Sequence, residues 1–389
     1  MIAPLCRRGA AAVALLAGLA CGPAMAADRA ALPPYSFAYE PQGVDERGMW
    51  MMADEDERIL RTSSFVIRDE ELNAYVRGVL CRTVGEDRCR NVRVYVMRIP
   101  QFNATMYANG MMTVWSGLLL RVQNEAELGA VLGHEFGHFE KRHSLNGFKN
   151  KRSVSDVLAW LGMVGPNAGL SASLAGYVYS FSRAQETEAD LIGIQYLASS
   201  AYPSAAAPKV WSRLMAEQDA TAAGRKRKVR HSYAAGFFAS HPTEAAREAY
   251  LSREAAKYAD AGDPGAEAYR KGIAKWLPQL LDDQIKLNDF GGSEYLLDQL
   301  AASGGSADVT FARAELYSQR GNPRDYVTAA ELYREAIAKG CDRPEARRGL
   351  GLALLRTQQS DEGKQALRSY LEFRPDAPDG PMIKSLVGN

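Results

Sequence analysis

The tightest constraint on how this chain can fold is a helix that carries a glycine every four residues. Asn124 stands at its start, and Glu127 three residues on completes a capping pattern. Leu128, Val131, Leu132 and Phe136 then recur at helical spacing. Along the same stretch Gly129, Gly133 and Gly137 form one stripe. Each glycine costs a helix interior about 1 kcal/mol relative to alanine. Such a stripe implies the close approach of another backbone, so packing against a second helix is expected.

That helix also holds His134-Glu135-Phe136-Gly137-His138. Residues four apart lie about 40° apart around a helix axis, so both imidazoles can reach one ion. Zinc takes neutral nitrogen ligands in tetrahedral geometry and, at a catalytic centre, keeps a position for water. Glu135 adjoins the first histidine and is placed to activate that water as a general base rather than to bind metal. The chain has five histidines, His134, His138, His143, His231 and His241, so this register around a glutamate is specific. His143 falls on the opposite side of a continuous helix and is read as a polar residue near the helix end.

A third protein ligand is therefore needed. Glu186 and Asp190 are spaced i,i+4 on a later helix, expected over Glu186 to Ala198, while Glu188 points elsewhere. One carboxylate can bind the ion and the other can orient a bound imidazole through its second nitrogen. Spacing alone does not assign the two roles.

The rest of the chain supplies the setting. Arg7-Arg8, an apolar run from Gly9 to Ala20 and Ala24-Met25-Ala26 have the order of a secretory signal peptide over residues 1–26, with Cys21 in a poor lipidation context. After its removal no transmembrane span is expected. Export makes a disulfide plausible, and Cys81 and Cys89 flank a turn, whereas Cys341 reads as a free thiol. Net charge is +1, which shows no nucleic-acid footprint. The run Arg225-Lys226-Arg227-Lys228 reads as a solvated loop.

Residues 28–50 look irregular, and 54–80 carry helical signals. Val92, Val94 and Val96 alternate as a strand, and Asn109-Gly110 predicts a hairpin between segments 105–107 and 112–115. Phe102 to Tyr107 is expected to lie by the cleft as an edge strand able to pair with an extended substrate. Ala261-Gly262-Asp263-Pro264-Gly265 is the best linker, dividing residues 27–262 from a helical region at 266–389. There Leu316 and Leu350, Leu332 and Ala366, Tyr333 and Leu367, and Ala336 and Tyr370 are each thirty-four residues apart, the tetratricopeptide period.

These residues resemble the M48 metallopeptidases, the family of Ste24-like and HtpX-like enzymes. The resemblance rests on His134 to His138, on Glu186-Thr187-Glu188-Ala189-Asp190-Leu191-Ile192-Gly193, on Asn103-Ala104, Asn109-Gly110, Gly117-Leu118-Leu119 and Glu127-Leu128, and on Ser240-His241-Pro242 followed by Arg247. It covers roughly residues 55–250. It implies a mainly α (α+β), zincin-like domain with a small sheet, followed here by tetratricopeptide-like helices. It assigns His134, His138 and Glu186 as ligands of a single zinc ion, Glu135 as the catalytic base and Asp190 as the carboxylate behind an imidazole. Asn103 and Ala104 become candidate substrate contacts. For His241 it implies either a restraint on the zinc or a hydrogen bond to the tetrahedral oxyanion, with Arg247 assisting or pairing with an acid.

The expected activity is zinc endopeptidase cleavage of unfolded or misassembled cell-envelope proteins in the periplasm. Outer-membrane association and contact with the outer-membrane assembly machinery through the repeats go with it. The alternative is an assembly chaperone or adaptor with a restrained or vestigial metal domain. A third reading is a membrane-surface hydrolase using segment 154–181.

Overall fold

The computed structural model describes residue 32 and residues 38–150, 181–228, 246–258 and 262–388. The signal segment, nearly all of segment 154–181, and His231 and His241 lie outside them. In chain order, α1 (Gly43–Leu60), α2 (Glu70–Val84) and α3 (Glu86–Cys89) precede strands β1 (Arg93–Met97), β2 (Ala104–Met106) and β3 (Met111–Trp115). Helices α4 (Ser116–Arg121), α5 (Glu125–Glu140), α6 (His143–Asn150), α7 (Arg183–Ser199), α8 (Ala206–Gly224) and α9 (Ala246–Ala255) follow. The remainder is α10 (Ala266–Ile273), α11 (Leu277–Ile285), α12 (Phe290–Ala302), α13 (Ala307–Arg320), α14 (Pro323–Ala338), α15 (Pro344–Arg356), α16 (Ser360–Phe373) and α17 (Gly380–Val387). The fold is mainly helical with one small sheet, as the sequence implies. Among the described residues no helix is long and apolar enough to cross a membrane.

Two expectations need correction at the N-terminal side. Residues 43–50 are helical, not irregular, because α1 begins at Gly43. The helical signal over 54–80 belongs to two helices. Between them Val66 bridges Met97 of the sheet, and Asp69 caps α2 by accepting the Leu72 amide at 3.1 Å. A single bridging residue leaves no alternation in the sequence, so the break between the two helices was hidden.

The sheet has the order β1-β3-β2, with β1 parallel and β2 antiparallel to β3. Asn109-Gly110 makes the β2–β3 turn, with Gly110 at φ +86°, a conformation that favours glycine. The Asn103 carbonyl takes the Trp115 amide at 2.9 Å, and the Tyr107 amide donates to the Met111 carbonyl at 2.8 Å. Alternation in an antiparallel pair then turns the polar backbone groups of Ala104 and Met106 away from β3.

The cysteines follow the sequence reading: Cys81 and Cys89 are disulfide-bonded, and Cys341 is a buried free thiol. The main apolar core does not stop at the linker expected near residue 262. It runs from Ala38 through Leu132 and Trp211 to Tyr269, Ile273, Leu280, Leu296 and Leu316. The Ala126 amide donates to the Pro264 carbonyl at 3.0 Å, tying that segment to the start of α5. Arg121 is buried and spans to Glu217 at 2.6 Å and to Gln284 at 3.0 Å, while Arg98 pairs with Asp283 at 2.6 Å. A second cluster begins at Phe311 and continues through Tyr333 to Leu354. Residues related by the thirty-four-residue offset share burial: Tyr333 with Leu367 and Ala336 with Tyr370 are all in the core.

Candidate metal centre

Helix α5 starts as the sequence suggests. The Asn124 side chain accepts the Glu127 amide at 2.8 Å, and the Glu127 carboxylate reaches back to the Gln123 amide at 2.8 Å. The glycine stripe faces two helices: Gly129 is crowded by Thr83 of α2, whereas Gly133 and Gly137 turn toward the backbone of α7. A Cβ on Gly137 would lie 3.4 Å from the Ala189 Cα, and one on Gly193 would lie 3.3 Å from the His134 nitrogen. A Cβ at Gly137 would just touch the neighbouring backbone, one at Gly193 would crowd it by a few tenths of an ångström, and longer side chains at either point would hold the helices apart. Their absence lets α7 deliver its first-turn acid to the histidines of α5.

His134, His138 and Glu186 converge with all three side chains buried. The two Nε2 atoms are 3.1 Å apart. Glu186 Oε2 stands 3.6 Å from His134 Nε2, and Oε1 stands 3.4 Å from His138 Nε2. Two ligand atoms about 2.0–2.1 Å from one tetrahedral ion must be roughly 3.3 Å apart. The three separations bracket that value, so this donor set fits a zinc-sized ion. Burial holds the His134 imidazole below its ordinary pKa, despite Asp190 and Glu186, and so favours the neutral form that binds metal.

Asp190 stands behind the first histidine. Its Oδ1 lies 2.9 Å from His134 Nδ1, which leaves Nε2 facing the other two ligands. Arg247 donates to both Asp190 oxygens at 2.6 Å, and the Tyr250 hydroxyl donates to Oδ2. Burial alone would raise the Asp190 carboxyl. The Arg247 charge and the His134 hydrogen bond prevail and hold it below the usual carboxylate range. The Arg247 guanidinium also lies 4.4 Å over the Trp211 ring, and Trp211 meets His134 edge-on at 5.9 Å. Glu186 faces the Nε2 atoms of both histidines, and Asp190 lies behind the His134 ring on its Nδ1 side.

Glu135 is buried beside this cluster. Burial pushes its carboxyl well above the usual range and the Glu186 charge adds to this, while the Arg247 charge and the Met106 backbone amide oppose it. Burial likewise lifts Glu186 to about 7, against His134 and Arg247. A bound dication would stabilise both carboxylates.

Other expected residues are placed differently. Asn103 and Ala104 flank the start of β2, but both are buried, at 5 % and 0 % exposure, so the edge that strand pairing needs is closed in this conformation. His143 needs a correction. Helix α5 ends at Glu140, and Arg142 turns at φ +53°, so the continuous-helix geometry does not apply. His143 folds back, buried, with its Nδ1 2.9 Å from His138 Nδ1. Glu188, expected to point elsewhere, reaches His143 Nε2 at 3.2 Å. Trp211 and Tyr250 were not foreseen, since single aromatics far along the chain carry no spacing signal.

A buried two-histidine, one-glutamate set on crossed helices, with a glutamate adjoining the first ligand and a strand edge alongside, defines a zincin-type metallopeptidase site. Residues 67–255 match the model of peptidase family M48. It is similar to the beta-barrel assembly-enhancing protease of Yersinia pestis, 32% identical over 181 residues, which span 42% of this chain and 37% of that protein. The protein of the same name from Escherichia coli K12 is 29% identical over 180 residues, with the same coverage. The mitochondrial metalloendopeptidase OMA1 of Schizosaccharomyces pombe is 31% identical over 152 residues, spanning 37% of this chain and 44% of that protein. The match therefore spans less than half the length of these curated relatives.

Proposed function

We propose that the chain is a zinc endopeptidase that cleaves unfolded or misassembled cell-envelope proteins in the periplasm, with Glu135 as its general base. The convergence of His134, His138 and Glu186 at tetrahedral-edge spacing carries this reading. Zinc held there supplies Lewis acidity and makes water a competent nucleophile near neutral pH. Glu135 takes the proton of the attacking water and later passes it to the leaving amine. Asp190 fixes the His134 ring, and Arg247 and Tyr250 fix Asp190.

Substrate is proposed to add along Asn103 and Ala104 once the closed edge of β2 opens, which suits an enzyme restrained at rest. His241, outside the described residues, is proposed to act beside the zinc, as a restraint or as a donor to the oxyanion. The helices after α12 are proposed to recruit substrates or the outer-membrane assembly machinery. The names of the assembly-enhancing relatives support this direction, and the exported sequence pattern supports the compartment.

Zinc analysis with casein cleavage tests the enzyme reading. Wild type and Glu135→Gln should retain zinc, and Glu135→Gln should cleave roughly 10²–10⁴-fold more slowly. Glu186→Ala should lose both zinc and cleavage. Cleavage by Glu135→Gln at the wild-type rate would overturn the assignment. Complementation of a deletion strain by Glu135→Gln separates the competing chaperone role, which full rescue would favour.

A further inference from the structure

We propose that His143 and Glu188 form a second positioning arm, which holds the His138 ring for metal binding as Asp190 holds His134. This rests on the metal-centre reading above and extends it to residues outside the ligand set. The arm is built by the break after α5. Lys141 closes the helix by donating its amide to the Gly137 carbonyl at 3.0 Å, and Arg142 reverses direction at φ +53°. The next residue, His143, is thereby returned to the flank of His138 and buried at 2% exposure.

The proton bookkeeping follows from one requirement. When His138 binds through Nε2, the nitrogen facing His134 and Glu186, its neutral ring carries a proton on Nδ1. That proton faces His143 Nδ1 at 2.9 Å, which must then be the acceptor. His143 in turn carries its own proton on Nε2 and donates it to Glu188 Oε2 at 3.2 Å. Glu188 is braced by Lys141, whose Nζ lies 3.0 Å from its other oxygen. Each donor in this chain meets an acceptor, and no group has to change its protonation. Phe181 stacks on His138 at 3.9 Å between ring centroids and limits its tilt.

The two arms share one helix. In α7, Glu186 faces the Nε2 atoms of both histidines, Glu188 serves His143 and Asp190 serves His134 directly. The direct arm is buried, whereas the relayed arm ends on a carboxylate that is 47% exposed. His143 is a positioning residue here; it touches neither substrate nor the reacting atoms.

The test is zinc affinity of the full chain, measured by competition with a chromogenic chelator, alongside thermal unfolding of the metal-free protein. His143→Leu keeps bulk and removes the acceptor; His143→Asn keeps an acceptor near the Nδ1 position. The expected result is a zinc Kd raised about 10–100-fold in His143→Leu, most of the affinity kept in His143→Asn, and similar metal-free melting for both. A Leu variant that binds zinc like wild type overturns the proposal, as does an Asn variant that loses as much as Leu. Should His143→Leu fail to fold, Glu188→Ala at its half-exposed position gives the same reading: a raised Kd supports the arm and an unchanged one overturns it. Wild-type protein that binds no zinc would instead overturn the peptidase reading, and this proposal with it.

Discussion

Arg247 grips Asp190 through two parallel hydrogen bonds of 2.6 Å, and both side chains are buried. A planar guanidinium against a carboxylate makes the strongest and most directional of charge-assisted pairs. Truncating one partner leaves the other charge buried and uncompensated. Arg247→Leu should therefore destabilise the fold by about 3–5 kcal/mol in denaturant titrations. The double variant with Asp190→Asn should recover part of that loss. Simple additivity of the two single changes would show that the pair is not coupled.

Asp190→Asn alone keeps the shape of the carboxylate and removes its charge. The oxygen facing His134 Nδ1 becomes a weaker acceptor, and Arg247 loses its counter-ion. Zinc affinity is expected to fall about 10–100-fold. Equilibrium dialysis checks this; unchanged affinity would separate Asp190 from the metal centre.

The meeting of α5 and α7 gives a steric prediction. A methyl group at Gly193 would come within 3.3 Å of the His134 backbone nitrogen. Gly193→Ala should force the helices apart, cost about 1–3 kcal/mol and weaken zinc binding at the same time. Melting and metal titration on one sample read both. A stabilised variant, as expected for alanine in an uncrowded helix, would contradict the close approach.

Glu57 gives a pH dependence. Although burial alone would raise its carboxyl, hydrogen bonds from Arg93, Tyr95 and Arg61 draw it from 4.5 to about 2. A folded-state pKa below the unfolded one stabilises the fold at high pH. The contribution is whole above about 4.5 and is lost as pH falls toward about 2. Denaturation midpoints between those limits should drop less steeply for Glu57→Gln than for wild type, and parallel profiles would rule this network out as the cause.

The Cys81–Cys89 bond closes a short loop, with a sequence separation of 8. Chain-entropy reasoning gives roughly 2.5 kcal/mol for a loop of that length. Replacing both cysteines by serine should lower stability by about that much and remove any response to dithiothreitol. A reductant response that persists in the double variant would point elsewhere.

The motif helix, the hairpin and the acidic pair were legible because their signals are local. Asn124 caps, Asn109-Gly110 turns, and His134 with His138 share a face by spacing alone. The relayed arm was not legible, because it depends on the break at Arg142, and arginine at φ +53° leaves no compositional trace. Trp211 and Tyr250 were hidden for another reason: each works through contacts set by tertiary packing. Helix α1 was obscured by Gly43 and Gly48 and by a methionine-rich run whose periodicity is blurred.

The continuous core has a consequence for how such a protein could be built from parts. A cut at residue 262 would strip Tyr269, Ile273, Leu280 and Leu281 from the apolar interior they share with Leu119 and Leu128. It would also sever Arg98 from Asp283 and Arg121 from Gln284. The piece that could be transplanted intact therefore extends past the change in sequence texture, into the helix bearing Leu316. A junction for exchanging the C-terminal helices would have to lie beyond it, so α10 to α13 go with the core that carries the metal centre and only the helices after them could be replaced as a block.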